Sequence, residues 1–513
     1  MMKPNNSKQR FIKDKLSIAV ATALILSTSQ ISYAAEEVAA EVETKKENKA
    51  EAADETEVIV VTGFRSSASQ QRDFKRNSDN IADSIFAEDM GKMPDENIAE
   101  AMQRITGVGI DSVDGEGSSV TVRGVDPNLN QITMNGQVLT NGGDDNSVDL
   151  STMSADMLKS IEVIKSPSAD HDEGSLGGTI NLKTFRPMQA NKRKINASAQ
   201  IKSGELSDKT DLAGKFGYVD NFDDRFGVAV SVFYDEKSIR QDYYGMNNWK
   251  LFKNTVATSL QTGEDLGKIY AYEPQLLDMG VKFNDRTRYG GAATLEFLPD
   301  NDSSLWLDLS YSMMNTKAES HQTRVTNLRK DNIFDEVSGT SVFASSSTAG
   351  GNILSRQSDV ETETTTLGLG YERTMGEWLL TAKFGYSLSD AQWIKNRRVN
   401  FKPASTPVSS SWLGENGNYN DIPTVSFETD SGFFDTSKAA LFQIYDDDRS
   451  SKDDLTSIGF DLERDLEFGP IVSVKFGAKY FERNKDNAAT TGNTPFSTDD
   501  EGNKVYLADV STD

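Results

Sequence analysis

Cysteine and histidine are the residues that this chain most lacks. None of its 513 residues is cysteine, so disulfides and thiolate chemistry are excluded, and cysteine usage cannot indicate the redox compartment. The only histidines, His171 and His321, lie far apart in sequence, which leaves little for a histidine metal site. We therefore predict no metal and no cofactor. No nucleophile–base set stands out either, so no catalytic residue is predicted and an enzyme is disfavoured.

Positive charge is also scarce relative to negative charge. The chain has 54 Lys and Arg residues against 79 Asp and Glu residues, which gives a net charge of -25. Binding to nucleic-acid phosphates requires a basic footprint, so this balance argues against a nucleic-acid partner. The acidic excess suits solvated loops or tails instead.

Long hydrophobic runs are missing everywhere except at the N-terminus. No later segment approaches the roughly 18 uncharged residues that a membrane-spanning helix needs. Any membrane role would therefore have to be played by β-strands, with membrane lipid as the partner.

The N-terminal run has the pattern of an export signal over residues 1–35. A basic segment containing Lys13 and Lys15 precedes a short apolar run at 16–26, and Ser32-Tyr33-Ala34 follows as a small-x-small site. This pattern predicts secretion with cleavage near Ala34 or Ala35. A membrane anchor is the alternative, but the run is short and an acidic stretch follows it at once.

Residues 36–75 are predicted to be a flexible periplasmic tether that carries one apolar island. Residues 36–57 are dominated by Ala, Glu and Lys and include no aromatic residue, so they cannot bury enough apolar surface to fold. The island that follows consists of Glu57, Val58, Ile59, Val60, Val61, Thr62 and Gly63. Such an island can add as a strand to the edge of a partner's sheet, or it can be an ordinary first strand of the next domain.

Residues 76–190 have the mixed pattern of a compact α/β domain. Apolar residues at helical spacing predict a helix over 95–105, which Thr106-Gly107 terminates. Four short strands are predicted, over 119–125, 131–135, 161–165 and 179–183. Asn135-Gly136 predicts a hairpin turn after the second of these strands.

From Lys194 onward the pattern changes to apolar–polar alternation with a period of two, which predicts β-strands. Nine such segments begin near residues 194, 211, 226, 287, 304, 364, 378, 455 and 472. Alternation alone also fits a soluble β-sandwich. The connections decide between the two, because 235–286, 314–363 and 389–454 are long whereas 298–303, 374–377 and 465–471 are short. Long loops at one end and short turns at the other are typical of a transmembrane barrel.

Four blocks of sequence, in this order, resemble the TonB-dependent outer-membrane receptor family. They are residues 57–63 (EVIVVTG), which resemble the TonB box, and residues 119–136, 161–169 and 177–182, which resemble the plug core. The resemblance implies a transmembrane antiparallel β-barrel, of about 22 strands in plugged transporters, with an N-terminal α/β plug domain. It also implies active import without catalysis, driven by TonB and its inner-membrane energy-transducing complex.

The resemblance also implies roles for particular residues. Arg123 and Glu162 lie on plug strands that the family places against the barrel wall, so they are predicted to lock plug to barrel; a mere surface pair is the alternative. Substrate contacts are predicted in the plug loop and among nearby loop aromatics, namely Asn141, Asp144, Asp145, Asn146, Tyr243, Tyr244, Trp249, Trp393 and Trp412. Each of these can instead be a solvated loop residue.

Aromatic faces beside carboxylates and amides suit sugar rings, and the plug resembles the oligosaccharide-uptake branch of the family. We therefore expect an oligosaccharide substrate. A ferric siderophore or a vitamin is the alternative ligand, and a non-transporting adhesin is the alternative of another class. Because nine strands are far fewer than about 22, we expect residues 191–513 to be only the N-terminal part of a barrel. A genuinely short protein closed by oligomerisation is the alternative.

Overall fold

The computed structural model describes residues 62–86, 97–190, 192–248, 250–273, 276–326, 331–335, 337, 340–411, 424–427, 432–468, 471–495 and 502–507. The predicted signal peptide, most of the predicted tether and residues Glu57 to Val61 of the box lie outside the described residues. The last two residues of the box, Thr62 and Gly63, begin helix α1 (Thr62–Asn77). The tether prediction, which extended to residue 75, is therefore wrong from Thr62 onward.

The plug region is built on a five-stranded sheet and a separate hairpin. The sheet has the order β1-β6-β7-β4-β5, in which only β4 and β7 run parallel. Its strands are β1 (Ala82–Phe86), β4 (Gln131–Met134), β5 (Gln137–Val138), β6 (Ser160–Ile164) and β7 (Thr179–Lys183), and the hairpin is β2 (Val108–Val113) with β3 (Glu116–Val122). Four 3-10 turns lie at Pro127–Leu129, Leu150–Thr152, Ala155–Met157 and Pro187–Gln189.

Local sequence signals explain several of these elements. Asn135 and Gly136 both have positive φ, 51° and 82°, which is the turn that joins β4 to β5 as predicted. Helix α2 (Ile98–Met102) is shorter than predicted; the Asn97 side chain caps it by accepting from the Glu100 amide at 3.0 Å. The helix packs against the β2–β3 hairpin, and the fully buried core includes Ile98, Met102, Leu150, Leu158, Ile161, Ile180 and Leu182.

The remainder is a large sheet whose nine long strands form an antiparallel meander. They are β8 (Lys194–Gly204), β9 (Lys209–Phe222), β10 (Phe226–Asn247), β13 (Leu276–Asp300), β14 (Ser303–Thr326), β16 (Thr340–Met375), β17 (Trp378–Lys402), β20 (Ala440–Phe468) and β21 (Ile471–Pro495). Five short strands lie in the connections, β11 (Lys250–Ser259), β12 (Asp265–Glu273), β15 (Asp331–Asp335), β18 (Thr406–Ser411) and β19 (Thr424–Phe427). The predicted mainly-β fold class, with about nine barrel strands, is confirmed.

The alternation of short and long connections is also confirmed, but the predicted loop lengths are wrong. Residues 301–302 and 376–377 form tight turns, whereas the connections at the opposite end carry the five short strands. The loop predicted over 314–363 is mostly strand, because β14 continues to Thr326 and β16 already begins at Thr340. The sequence of these extensions has few apolar residues at alternate positions, so the period-two pattern that marks the rest of each strand is missing from them.

The two faces of the large sheet differ in chemistry. On the face that we call the inner face, Arg288, Asp308 and Asp453 contact the plug. On the outer face, large apolar side chains are exposed at alternate positions, including Tyr289, Leu295, Phe297, Leu305, Leu309, Ile458, Phe460, Phe476 and Tyr480. A strand crosses a bilayer with about 9–11 residues, and this apolar band covers that length.

The described helices, α1 and α2, have 16 and 5 residues. Among the described residues, none is long and apolar enough to cross a membrane.

Candidate functional site

Among the described residues, polar contacts hold the plug to the inner face of the sheet at several places, and the first is centred on Glu116. This residue begins β3 and its side chain is 0% exposed. Arg286 and Arg288 of β13 donate to its two carboxylate oxygens at 2.7 and 2.6 Å, and Asn97 donates from within the plug at 3.2 Å. We call this group the Glu116 anchor.

Further polar contacts surround the Glu116 anchor and leave little of its charge unpaired. Arg288 also donates to the Ser151 carbonyl and to Asp235 of β10, both at 2.6 Å. Asp114, in the turn before β3, accepts from Lys282 and Asn284 of β13 at 2.5 Å each. A buried ion pair needs such additional hydrogen bonds to offset its desolvation.

The pKa of Glu116 is lowered below its ordinary value of 4.5. Burial alone would raise it, but the charges of Arg288, Lys237 and Arg286 and the hydrogen bond from Asn97 outweigh that effect. The carboxylate therefore stays ionised although it is buried.

The lowered pKa of Glu116 predicts how plug attachment depends on pH. A carboxyl group with a lowered pKa contributes stability that is complete above its ordinary pKa and is lost as the pH falls through the lower folded-state value. We expect protection of the β3 amides from hydrogen exchange to be unchanged from pH 7 to about 5 and to fall only below 4.5. Glu116→Gln should lose this acid transition, and a wild-type transition near pH 6 would contradict the assignment.

The second attachment joins the end of the plug to β14. Arg186 donates to both carboxylate oxygens of Asp308, at 3.1 and 2.8 Å, and its guanidinium lies 5.2 Å from the centre of the Trp306 ring. Thr294 of β13 donates to the same carboxylate at 2.9 Å. A two-pronged pair of this kind fixes orientation as well as position.

The third attachment involves the plug loop at residues 140–145, which we call the apex loop. The amides of Thr140 and Asn141 donate to Ser387 of β17 and Asp453 of β20, each at 3.1 Å. Lys485 of β21 donates to the Asp145 carbonyl at 2.5 Å. The apex loop therefore lies along the inner face of β17, β20 and β21.

A chain of three side chains lies beside the apex loop. Asp144 forms an ion pair with Arg449 of β20, and the Arg449 guanidinium lies 4.6 Å from the centre of the Trp393 ring on β17. The Asp144 side chain is 57% exposed and that of Arg449 32%, so water reaches this pair. Ion pairs that water reaches are weak.

The fourth attachment is made by the plug loop that contains Asp170 and Asp172. These carboxylates pair with Lys475 and Lys479 of β21, at 3.0 and 2.5 Å. Burial raises the pKa of Asp170, but hydrogen bonds from Ser168 and Lys475 outweigh it and bring the pKa to about 2. The Asp170 pair is therefore ionised at neutral pH.

The two residues predicted to lock the plug to the barrel are placed elsewhere. Glu162 pairs with Lys183 on the neighbouring plug strand at 2.6 Å, and Arg123 is exposed, with a φ of 55°, in the turn after β3. In the described part of the chain, neither residue forms an ion pair with the large sheet. The prediction therefore chose the wrong residues, although plug and sheet are joined by charge pairs.

The predicted substrate contacts are only partly brought together. Asn141, Asp144 and Trp393 lie in one place, with Asp145 and Asn146 exposed on the same plug segment. Asn141 is buried and holds the loop, since its side chain bonds Asp145 and the Gly143 amide. Of the other predicted aromatics, Tyr243 and Tyr244 are strand residues of β10, not loop residues, and Trp249 and Trp412 lie outside the described residues.

Sequence reasoning missed Glu116, Arg286, Arg288, Arg186 and Asp308. One signal was available, because Lys282, Arg286 and Arg288 share one face of a strand whose other face is largely apolar. A row of cations on one side of a barrel strand indicates acidic partners opposite it. The identity of those partners could not be read from that row.

A family model described as the TonB-dependent Receptor Plug Domain matches residues 75–179. Residues 75–179 therefore match a plug domain of the kind found in TonB-dependent receptors. Among the described residues, no group of three or more His, Asp or Glu side chains is placed to hold a metal ion.

Three solved structures are among those similar to this receptor. The unliganded ferric citrate transporter FecA is 11% identical with a TM-score of 0.29, over 82% of this chain and 80% of FecA. The copper transporter OprC is 10% identical with a TM-score of 0.33, over 79% of this chain and 60% of OprC. BauA, the ferric preacinetobactin receptor of Acinetobacter baumannii, is 12% identical with a TM-score of 0.33, over 82% of this chain and 61% of BauA. The chain spans less than two thirds of the latter two proteins, and likenesses of this size identify no ligand.

Proposed function

We propose that this receptor binds an oligosaccharide on the plug apex and imports it across the outer membrane when TonB pulls on residues 57–63. The observation that carries the ligand class is the position of Trp393. Its ring lies on the inner face beside a plug loop that presents the exposed Asp145 and Asn146. Sugars are recognised by this combination, in which an aromatic ring takes the C–H face and polar groups take the hydroxyls.

A ferric chelate is the second candidate, because several similar structures are titled siderophore receptors. That support is limited to the printed titles of distant proteins. The adhesin alternative accounts less well for the chain, since an adhesin needs neither a plug nor a strand-forming island before it.

Binding measurements on the purified receptor test the ligand class. We expect calorimetry to detect binding of neutral or acidic oligosaccharides and not of ferric chelates. Trp393→Ala should weaken saccharide binding about two- to tenfold, since a lost aromatic stack is worth about 0.5–1.5 kcal/mol. Trp378→Ala, at the opposite end of the same strand, is the matched control and should leave affinity unchanged. Binding of ferric chelates alone would contradict the proposal.

A further inference from the structure

Cations are concentrated on the inner face of β20 and β21, although the whole chain is strongly acidic. Within residues 474–485 the alternate positions that face the plug carry Lys475, Lys479, Arg483 and Lys485. The intervening positions of β21 include Val474, Phe476, Ala478 and Tyr480. Arg449 continues the cationic row on β20. Five cations therefore line the inner wall near the apex loop, together with the buried Asp453 of β20.

Plug carboxylates pair with three of these cations, whereas Arg483 and Lys485 pair with Asp453 of β20 itself. Asp144 forms an ion pair with Arg449, Asp170 with Lys475 and Asp172 with Lys479. Unlike Glu116, which is 0% exposed, Asp144 is 57% exposed. An exposed pair contributes little to stability, so a competing anion can replace its acidic partner at small cost.

Arg449 is the member of this row best arranged to receive an anion. Stacking on Trp393 orients its guanidinium while its partner carboxylate remains open to water. The planar fork of an arginine fits a carboxylate or a sulfate through two parallel hydrogen bonds. The half-buried Trp393 ring beside it offers a flat apolar face to a sugar.

We propose that the ligand is an acidic saccharide whose carboxylate or sulfate binds Arg449 in the place that Asp144 holds in the free receptor. This inference rests on the proposed saccharide import and specifies its substrate class. Displacement of Asp144 frees the apex loop from one of its wall contacts, and the neighbouring Asn141 and Asp145 are joined to β20 and β21 through the same loop. Ligand occupancy is thereby linked to plug attachment.

Calorimetry with three tetrasaccharides on the full receptor tests the proposal: neutral tetragalactose, tetragalacturonate and a sulfated tetragalactose. We expect at least one acidic form to bind about tenfold or more tightly than the neutral form, because a hydrogen bond to a charged group is worth about 1.5–3 kcal/mol. Comparing the affinities of the two acidic forms shows whether the receptor prefers a carboxylate or a sulfate. Arg449→Gln should remove the preference and leave neutral binding intact.

Two further variants exclude a loss of fold as the explanation. Asp144→Asn removes the internal competitor, so it should strengthen acidic binding several-fold without changing neutral binding, an outcome that misfolding cannot produce. Arg464→Gln is the matched control, because Arg464 is also a β20 arginine, stacked on Trp378 at 5.5 Å and paired with Glu377, away from the apex loop. It should leave every affinity unchanged.

The possible failures are distinguishable. Equal affinity for the neutral and acidic forms would overturn the acidic assignment and leave saccharide import standing. The acidic assignment would also be overturned if Arg449→Gln kept the preference for acidic saccharides. The same holds if Asp144→Asn did not strengthen acidic binding. Binding of ferric chelates with no saccharide binding would overturn the proposed function itself.

Discussion

Replacing residues 57–61 with an equally long Gly–Ser segment is expected to abolish energised import and to leave saccharide affinity unchanged. The β-branched island is the part of the chain suited to add as a strand to a partner's sheet, and main-chain hydrogen bonds of an added strand supply much of such affinity. Gly–Ser keeps the length of the chain but has low strand propensity. Uptake of the saccharide that binds in calorimetry is the measurement.

This replacement stops before Thr62 so that helix α1 keeps its first residues. A second variant, deletion of residues 57–63, removes the start of the helix as well. If both variants lose import and site-specific crosslinking to TonB, the island is the coupling element. Undiminished import by the Gly–Ser variant would contradict this assignment. If only the deletion variant lost import, coupling would be assigned to α1.

Glu116→Ala is expected to loosen the plug by up to about 3–5 kcal/mol, because it removes the carboxylate that Arg286 and Arg288 share and leaves these buried arginines only Asp114 and Asp235. The measurement is hydrogen exchange of the β2–β3 hairpin, together with cellular sensitivity to a large antibiotic that an intact plug excludes. Protection should fall and sensitivity should rise.

Glu162→Ala is the matched control for Glu116→Ala. Glu162 is also a buried plug carboxylate, but its partner is Lys183, which is 45% exposed and belongs to the plug itself. Water can solvate that lysine once the pair is lost, so we expect an effect of at most about 1 kcal/mol and no antibiotic entry. Equal effects of the two substitutions would show that Glu116 has no special part in attachment.

The membrane-spanning parts of this fold were predictable because their environment is two-sided. Lipid on one face and the plug on the other impose a period of two, so β17 and β21 were placed within a residue of their observed starts. Beyond the membrane both faces meet water, and the pattern stops carrying information. The start of β16 was therefore placed at 364 although the strand begins at Thr340.

The contacts of the site were harder to predict than its strands. A turn such as Asn135-Gly136 is determined by the φ preferences of adjacent residues, so the sequence alone predicted it. The Glu116 anchor joins residues about 170 positions apart, and no local preference selects Arg286 over another arginine. Sequence order placed Glu162 correctly on a plug strand, but only the three-dimensional structure shows that this strand faces Lys183 and not the wall.

The attachments of the plug differ in strength from one side to the other. The Glu116 pairs on β13 are buried and the Arg186–Asp308 pair on β14 is two-pronged, whereas, beside the buried Asn141–Asp453 bond, Asp144, Asp170 and Asp172 meet β20 and β21 through more exposed ion pairs. Under a pulling force the weaker contacts rupture first, so separation begins at β20 and β21 while β13 and β14 still hold. The passage that opens is then a crescent along one wall, and the plug does not have to leave the barrel for a ligand to pass.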